Sequence, residues 1–261
     1  MADILNKITD QTKDDLTERK GKVTLKDLES LPSFEKERRN FAKALRKKNS
    51  VSIISEVKKA SPSKGVIRDP FDPKKIAEAY FENGASAISV LTDEPFFKGS
   101  LTYLQEISEI SPVPLLRKDF IIDPYQVKEA RAYGADAILL IVTICEGNQL
   151  SELLAAAKEF GLQALVECYH EEEINSLNWS EIEIVGVNNR NLSTFKVDLH
   201  RGVKLLQKAP EGVVRVSESG IHKSEDLKVL KQNDIHSALI GEHFMRQPDV
   251  GNSLKSFINE F

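Results

Sequence analysis

The sequence predicts an α/β fold, a closed (β/α)8 barrel with an N-terminal helical extension, and three observations predict it. Short apolar runs alternate with amphipathic stretches eight times from residue 51 onward, and strands alternating with helices build a parallel sheet covered by helices. Glycine or a proline turn punctuates most of the joints. The eight units fit into about 210 residues, the size of a barrel. An open, doubly wound sheet is the structural alternative. It is weakened because no two of the 13 glycines are separated by a single residue, so no G-x-G-x-x-G fingerprint exists, and no Walker-type loop occurs.

Taken in order, residues 1–48 are charged and helical in character. Residues 3–15 and 24–31 suit short helices, and 33–48 carries Phe34, Phe41 and Leu45 at helical spacing with Lys and Arg opposite. The run Arg46-Lys47-Lys48 can be read as a phosphate-binding cluster, or as cations near the negative end of a helix dipole. Strands are expected at 51–57, 85–91, 113–118, 137–142, 163–166, 183–187, 213–217 and 237–240. Helices are expected at 73–83, 100–110, 124–133, 147–160, from near 170, then 199–207, 224–231 and 250–261. Gly84 follows the end of the first, Pro124 stands in the first turn of the third, and Glu171 to Glu173 sit where carboxylates favour the dipole of the fifth. No inserted domain interrupts the series, so residues 1–261 read as one domain with 1–48 as its extension.

Composition excludes several classes. A formal net charge of −4 argues against a chain built to coat nucleic acid or anionic membrane. No apolar run approaches the roughly 20 residues of a membrane helix, and the N-terminus lacks the basic-then-apolar pattern of a secretory signal. Cys145 and Cys168 make neither a disulfide framework nor a metal cluster, and the five histidines show no metal spacing. A cytoplasmic protein is expected, with no nucleic-acid or membrane partner. A monomer is expected, with oligomers left open.

In such barrels the active site lies at the C-terminal strand ends. Strand 1 ends in Glu56 and Lys58, which share a face because strand side chains alternate. Strand 3 ends in Lys118, strand 5 in Glu167, strand 6 in Asn188, Asn189 and Arg190, and strand 7 in Glu218. Such a ring at buried strand ends could be an ion-pair network that fixes the mouth, but buried charge stabilises poorly compared with apolar packing, which favours a functional ring. Ser219-Gly220 and Gly241, with Glu242 and His243 beside it, place small residues where main-chain N–H groups can meet a phosphate. Phe96, Phe97 and Phe120 could hold a planar ring, or belong to the core.

The blocks SEVKKASPSKG (55–65), LTDEPFFKGS (91–100), LLRKDFIIDPYQ (115–126), GADAILLI (134–141), LVE (165–167), VGVNNRNL (185–192), SESGI (217–221) and LIGE (239–242) carry a resemblance over essentially the full length. In order and spacing they resemble the indole-3-glycerol phosphate synthases. The resemblance implies ring closure of 1-(2-carboxyphenylamino)-1-deoxyribulose 5-phosphate, a small phosphosugar substrate, with loss of carbon dioxide and water and with no cofactor or metal. It implies Lys118 as general acid, with Glu56 pairing with it. It implies Lys58 at the departing carboxylate, with Glu167 as its partner and the division of proton transfers between them open. Asn188 and Glu218 would position hydroxyls and the amine side, and Arg190 would assist the carboxylate. Ser61, Ser219, Gly220, Gly241 and Glu242 (through its N–H) would bind phosphate, while Phe96, Phe97 and Phe120 would line the aromatic pocket. Glu242, His243 and Phe244 depart from the small residues that the family commonly carries there. Another phosphosugar barrel, an isomerase or Schiff-base aldolase, is the alternative; a barrel that only binds an anion or a partner is a third reading.

Overall fold

The computed structural model describes residues 2–191, 194 and 196–261; Leu192, the last residue of the VGVNNRNL block, lies outside them. Eight apolar runs form the strands β1 (Ser52–Val57), β2 (Ala87–Leu91), β3 (Leu115–Lys118), β4 (Ala137–Ile141), β5 (Gln163–Cys168), β6 (Ile184–Asn188), β7 (Val214–Glu218) and β8 (Ser237–Ile240). Each pairs in parallel with the next, and β8 returns to β1 with Ser237 opposite Ser52, closing the barrel. The open-sheet alternative is thereby excluded.

The period of two sorts every strand into an inner and an outer set. Ile54, Leu116, Leu139, Leu165, Ile184, Val216 and Leu239 fill the interior. Ile53, Ile88, Leu115, Ile138, Val166, Val185 and Ala238 face the helices. Following the inner parity to the strand ends arrives at Glu56, Lys58, Lys118, Glu167, Asn188, Glu218 and Gly241. The apolar fill and the polar ring are therefore one continuous set of positions.

Three helices precede β1: α1 (Ala2–Lys22), α2 (Leu25–Glu29) and α3 (Phe41–Leu45). After β1 comes α4 (Pro73–Glu82), and after β2 a one-turn α5 (Glu94–Phe97) and α6 (Leu101–Ser108). Then β3, β4, β5, β6 and β7 are followed by α7 (Pro124–Ala132), α8 (Gln149–Glu159), α9 (Glu171–Ser176), α10 (Leu199–Leu206) and α11 (Ser224–Gln232). A one-turn α12 (Glu242–Met245) and α13 (Val250–Asn259) follow β8. The expected barrel elements appear in order, with ends shifted by one or two residues.

The extension departs from expectation in two places. The first helix continues to Lys22 rather than ending near residue 15. The helix expected over 33–48 shrinks to α3, because tertiary contacts hold residues 37–40 out of helical conformation. Arg38 donates to the carbonyls of Ser33, Lys36 and Ala135, and the Arg39 N–H donates to Asp136. Local propensity yields to such contacts. α3 then plugs the N-terminal end of the barrel: Phe41 and Leu45 are fully buried, and the N–H groups of Phe41 and Ala42 donate to Gln163 Oε1. Arg46 donates to the Gly212 carbonyl at that same end, opposite the mouth, so the basic run is not near the strand C-termini. Among the described residues no helix is long and apolar enough to cross a membrane.

Candidate active site

A cavity of about 510 Å³ opens at the C-terminal strand ends. Its floor is the polar ring: Glu56, Lys58, Lys118, Glu167, Asn188 and Glu218. The structure brings all six together, but pairs them differently from the expectation. Lys58, just past the end of β1, pairs with Glu56, two residues before it. Lys118 reaches instead to Glu167 Oε2 at 2.9 Å and Glu218 Oε2 at 3.4 Å. The expected pairs Glu56–Lys118 and Lys58–Glu167 are thus corrected. Glu56, Lys118, Glu167 and Glu218 all come from alternate strands, whose inward side chains share a layer, but Glu56 is taken up by Lys58 beside it, and Lys118 finds Glu167 and Glu218. Asn188 Nδ2 donates to the other oxygen of Glu167, Oε1, at 3.3 Å.

The cluster sets its own protonation. Burial opposes the charge of Lys118, but Glu167, Glu218 and Glu56 outweigh it and raise the ammonium pKa. Burial likewise opposes ionisation of Glu167, yet the Lys118 charge and hydrogen bonds from Lys118, Glu218 and Asn188 hold its pKa below the ordinary value. Glu218 goes the other way: burial, then the negative charge of Glu167, push its pKa well up. Two carboxyls beside one ammonium are therefore pushed in opposite directions, Glu167 down and Glu218 up, a like-charge separation typical of acid–base sites.

Glycine makes room for two of these carboxylates. A Cβ on Gly186 would collide with Glu218 Oε1, and one on Gly241 with Glu56 Oε2. Gly241, expected only as an approach for phosphate, thus also seats the Glu56 side chain.

On one side of the floor lie Ser61, Ser63, Ser219, Gly220, Gly241 and Glu242, with Arg190, His222 and His243. Ser219 and Gly220 both adopt left-handed backbone, with φ of 67° and 73°. Glu242 turns its carboxylate to Arg246 Nε at 3.0 Å and to an Arg190 NH group at 3.4 Å, and both Gly241 and Glu242 line the wall. Ser61 arrives on a short hairpin, Ala60–Ser61 paired with Gly65–Val66, that the sequence did not announce.

On the other side, Phe97 and Phe120 meet with ring centroids 6.1 Å apart, beside Leu91, Leu139 and Ile141. Phe96 packs half-buried against the same inner apolar cluster as Phe97 but is not among the residues that line the cavity. Asp93 caps α5, accepting from the N–H groups of Phe96 and Phe97, and of the two rings Phe97 lines the cavity. Ile4, Leu5 and Ile8 of α1 complete the apolar wall. Their helical spacing was visible in the sequence; that they face the mouth was not. Cys145 lies beside the mouth, where burial pushes its thiol up to about 11, a range in which it stays protonated.

A family model for indole-3-glycerol phosphate synthase matches residues 5–257. The chain belongs to the indole-3-glycerol phosphate synthase family. A synthase of that name from Salinibacter ruber is 49% identical over 253 residues, 96% of this chain and 93% of the relative. One from Campylobacter jejuni subsp. doylei is 46% identical over 260 residues, 98% of this chain and all of the relative. Solved structures share the fold at low identity. A 3-hexulose-6-phosphate synthase from Salmonella typhimurium superposes with TM-score 0.64 at 13% identity, covering 80% of this chain and 99% of its own. A mutant tryptophan synthase alpha-subunit from Pyrococcus furiosus gives 0.59 at 15%, covering 80% and 96%.

Proposed function

We propose that the chain closes the indole ring of 1-(2-carboxyphenylamino)-1-deoxyribulose 5-phosphate, yielding indole-3-glycerol phosphate, carbon dioxide and water, in tryptophan biosynthesis. The observation that carries this reading is Lys118, held charged by Glu167 and Glu218 between an apolar wall and a loop of small residues. The substrate has the same three parts: an aromatic ring, a ketose carbonyl and a phosphate.

Lys118 is the proposed general acid. As the ring carbon that bears the carboxylate attacks the ketose carbonyl, Lys118 protonates the developing oxyanion, which becomes a hydroxyl. The carbon–carboxylate bond then breaks, carbon dioxide leaves and its electron pair restores the aromatic ring. Loss of the hydroxyl as water, with removal of a proton from the carbon next to nitrogen, completes the indole. That last step needs an acid and a base on different groups; Lys58 and the ionised Glu167 are the proposed pair. Each positioned proton donor or acceptor contributes roughly 10²–10⁴-fold.

Lys58, with Arg190 assisting, is proposed to meet the departing carboxylate. Asn188 and Glu218 are proposed to orient the hydroxyls and amine by hydrogen bonding. Ser61, Ser219, Gly220, Gly241 and the Glu242 N–H are the proposed phosphate ligands, and Phe97 and Phe120 the proposed ring contacts. A Schiff-base aldolase needs a neutral lysine, whereas the carboxyls around Lys118 keep it protonated. The test is indole fluorescence on mixing purified protein with the carboxyphenylamino deoxyribulose phosphate. Its appearance supports the ring closure; consumption without an indole product, or substrate trapped on lysine by borohydride, contradicts it.

A further inference from the structure

Asn189 stands next to Asn188 in sequence, but it lies behind the cavity wall and is 1% exposed. Its Nδ2 donates to Ser217 Oγ at 2.9 Å and to the Ser219 carbonyl at 3.0 Å. Its main-chain N–H donates to the Glu218 carbonyl at 2.8 Å. One residue at the end of β6 therefore grips three successive residues at the end of β7. The carbonyl acceptor fixes the orientation of the amide, since only the nitrogen can donate to it.

The Ser219–Gly220 peptide is the part of this grip that matters for a ligand. Ser219 holds a left-handed backbone that a residue with a Cβ rarely adopts, so something must pay to keep it there. In a trans peptide the C=O and the following N–H point to opposite sides. Drawing the Ser219 oxygen back toward Asn189 turns the Gly220 N–H the other way, toward the cavity that Ser219 and Gly220 line. We propose that Asn189 is the positioning residue of the phosphate loop, fixing the Gly220 N–H as an anion donor through its bond to the Ser219 carbonyl. This rests on the reading that the loop takes the substrate phosphate.

A second residue supports the assignment. Gly202 lies inside α10, where glycine is a poor helix former. A Cβ at that position would strike Asn189 Oδ1. The helix carries a glycine where the Asn189 amide needs the space.

The experiment uses inorganic phosphate as the probe, read as competitive inhibition of the full-length enzyme. A phosphate-free 2-carboxyphenylamino ligand serves as the control. Asn189→Asp keeps the shape and the main-chain N–H but replaces the donor with an oxygen that faces the Ser219 carbonyl. Gly202→Ala leaves Asn189 in the chain and crowds its amide, so the test survives poor folding of either variant. Both should weaken phosphate by about tenfold, raise KM by more than kcat falls, and leave the control ligand within about twofold. If phosphate competes on the parent but both variants bind it as the parent does, the loop remains a phosphate site and the positioning role is overturned. Equal weakening of phosphate and control also overturns it, as general loosening. Failure of phosphate to compete on the parent removes the underlying reading and the role with it.

Discussion

Lys118 Nζ stands 2.9 Å from Glu167 Oε2, an ion pair between an amine and a carboxyl whose charges burial opposes. Each keeps the other charged. Glu218, at 3.4 Å from the same ammonium, bears the consequence: a second negative charge there is unfavourable, and its pKa is pushed well up.

The two carboxyls should therefore respond differently to the same substitution. Glu218→Gln replaces a carboxyl whose ionisation the site opposes, whereas Glu167→Gln removes the carboxyl whose charge Lys118 favours. We expect Glu167→Gln to lower kcat by about 100-fold or more, and Glu218→Gln to remain about tenfold more active than that. Steady-state turnover followed by indole fluorescence measures both. Equal losses would contradict the division of charge.

Beneath the site, Arg117 is fully buried and pairs with Asp119 and Glu129, each at 2.8 Å. Glu129 also pairs with Arg19 of α1 at 2.7 Å, tying the extension to the barrel. Arg117→Leu would leave two buried carboxylates without their shared cation. The expected loss is about 3–5 kcal/mol of stability, read from the urea midpoint. A loss below about 1 kcal/mol would mean that the carboxylates find other partners.

Asp93 gives a pH dependence with a definite sign. Burial is the main cause that raises its pKa from 3.8 to about 6, against the N–H bonds from Phe96 and Phe97. The folded state thus holds this proton more tightly than the unfolded chain. Its contribution is fully present below the unfolded pKa and is lost as pH rises through about 6. Asp93→Asn keeps an oxygen for the two N–H groups and removes the loss. Its stability relative to the parent should rise by about 1–2 kcal/mol between pH 4 and pH 8. Urea melts across that range check it; a difference constant with pH would contradict it.

The sequence made the barrel legible because alternating apolar strands and capped helices repeat without interruption, and Pro124 and Gly84 mark joints that local chemistry alone dictates. The polar ring was legible for the same reason: once strand parity is known, Glu56, Lys118, Glu167 and Glu218 must point inward. What stayed hidden depends on contacts distant in sequence. Lys118 could not be assigned to Glu167 and Glu218 rather than to Glu56 without the stagger of the barrel. Phe96 and Phe97 are adjacent, and only the turn of α5 decides which of them enters the cavity. The helix expected over 33–48 failed because Arg38 and Arg39 bind groups near residue 135, which periodicity does not register. Ile4, Leu5 and Ile8 had the pattern of a buried face with nothing to say what it covers.

The most direct measurement compares the parent with Lys118→Ala in the indole fluorescence assay, with circular dichroism to confirm the fold. With Lys118 as the general acid, the variant keeps the parent's spectrum and its kcat falls by at least about 100-fold. A folded Lys118→Ala enzyme whose kcat stays within about tenfold of the parent would contradict the role.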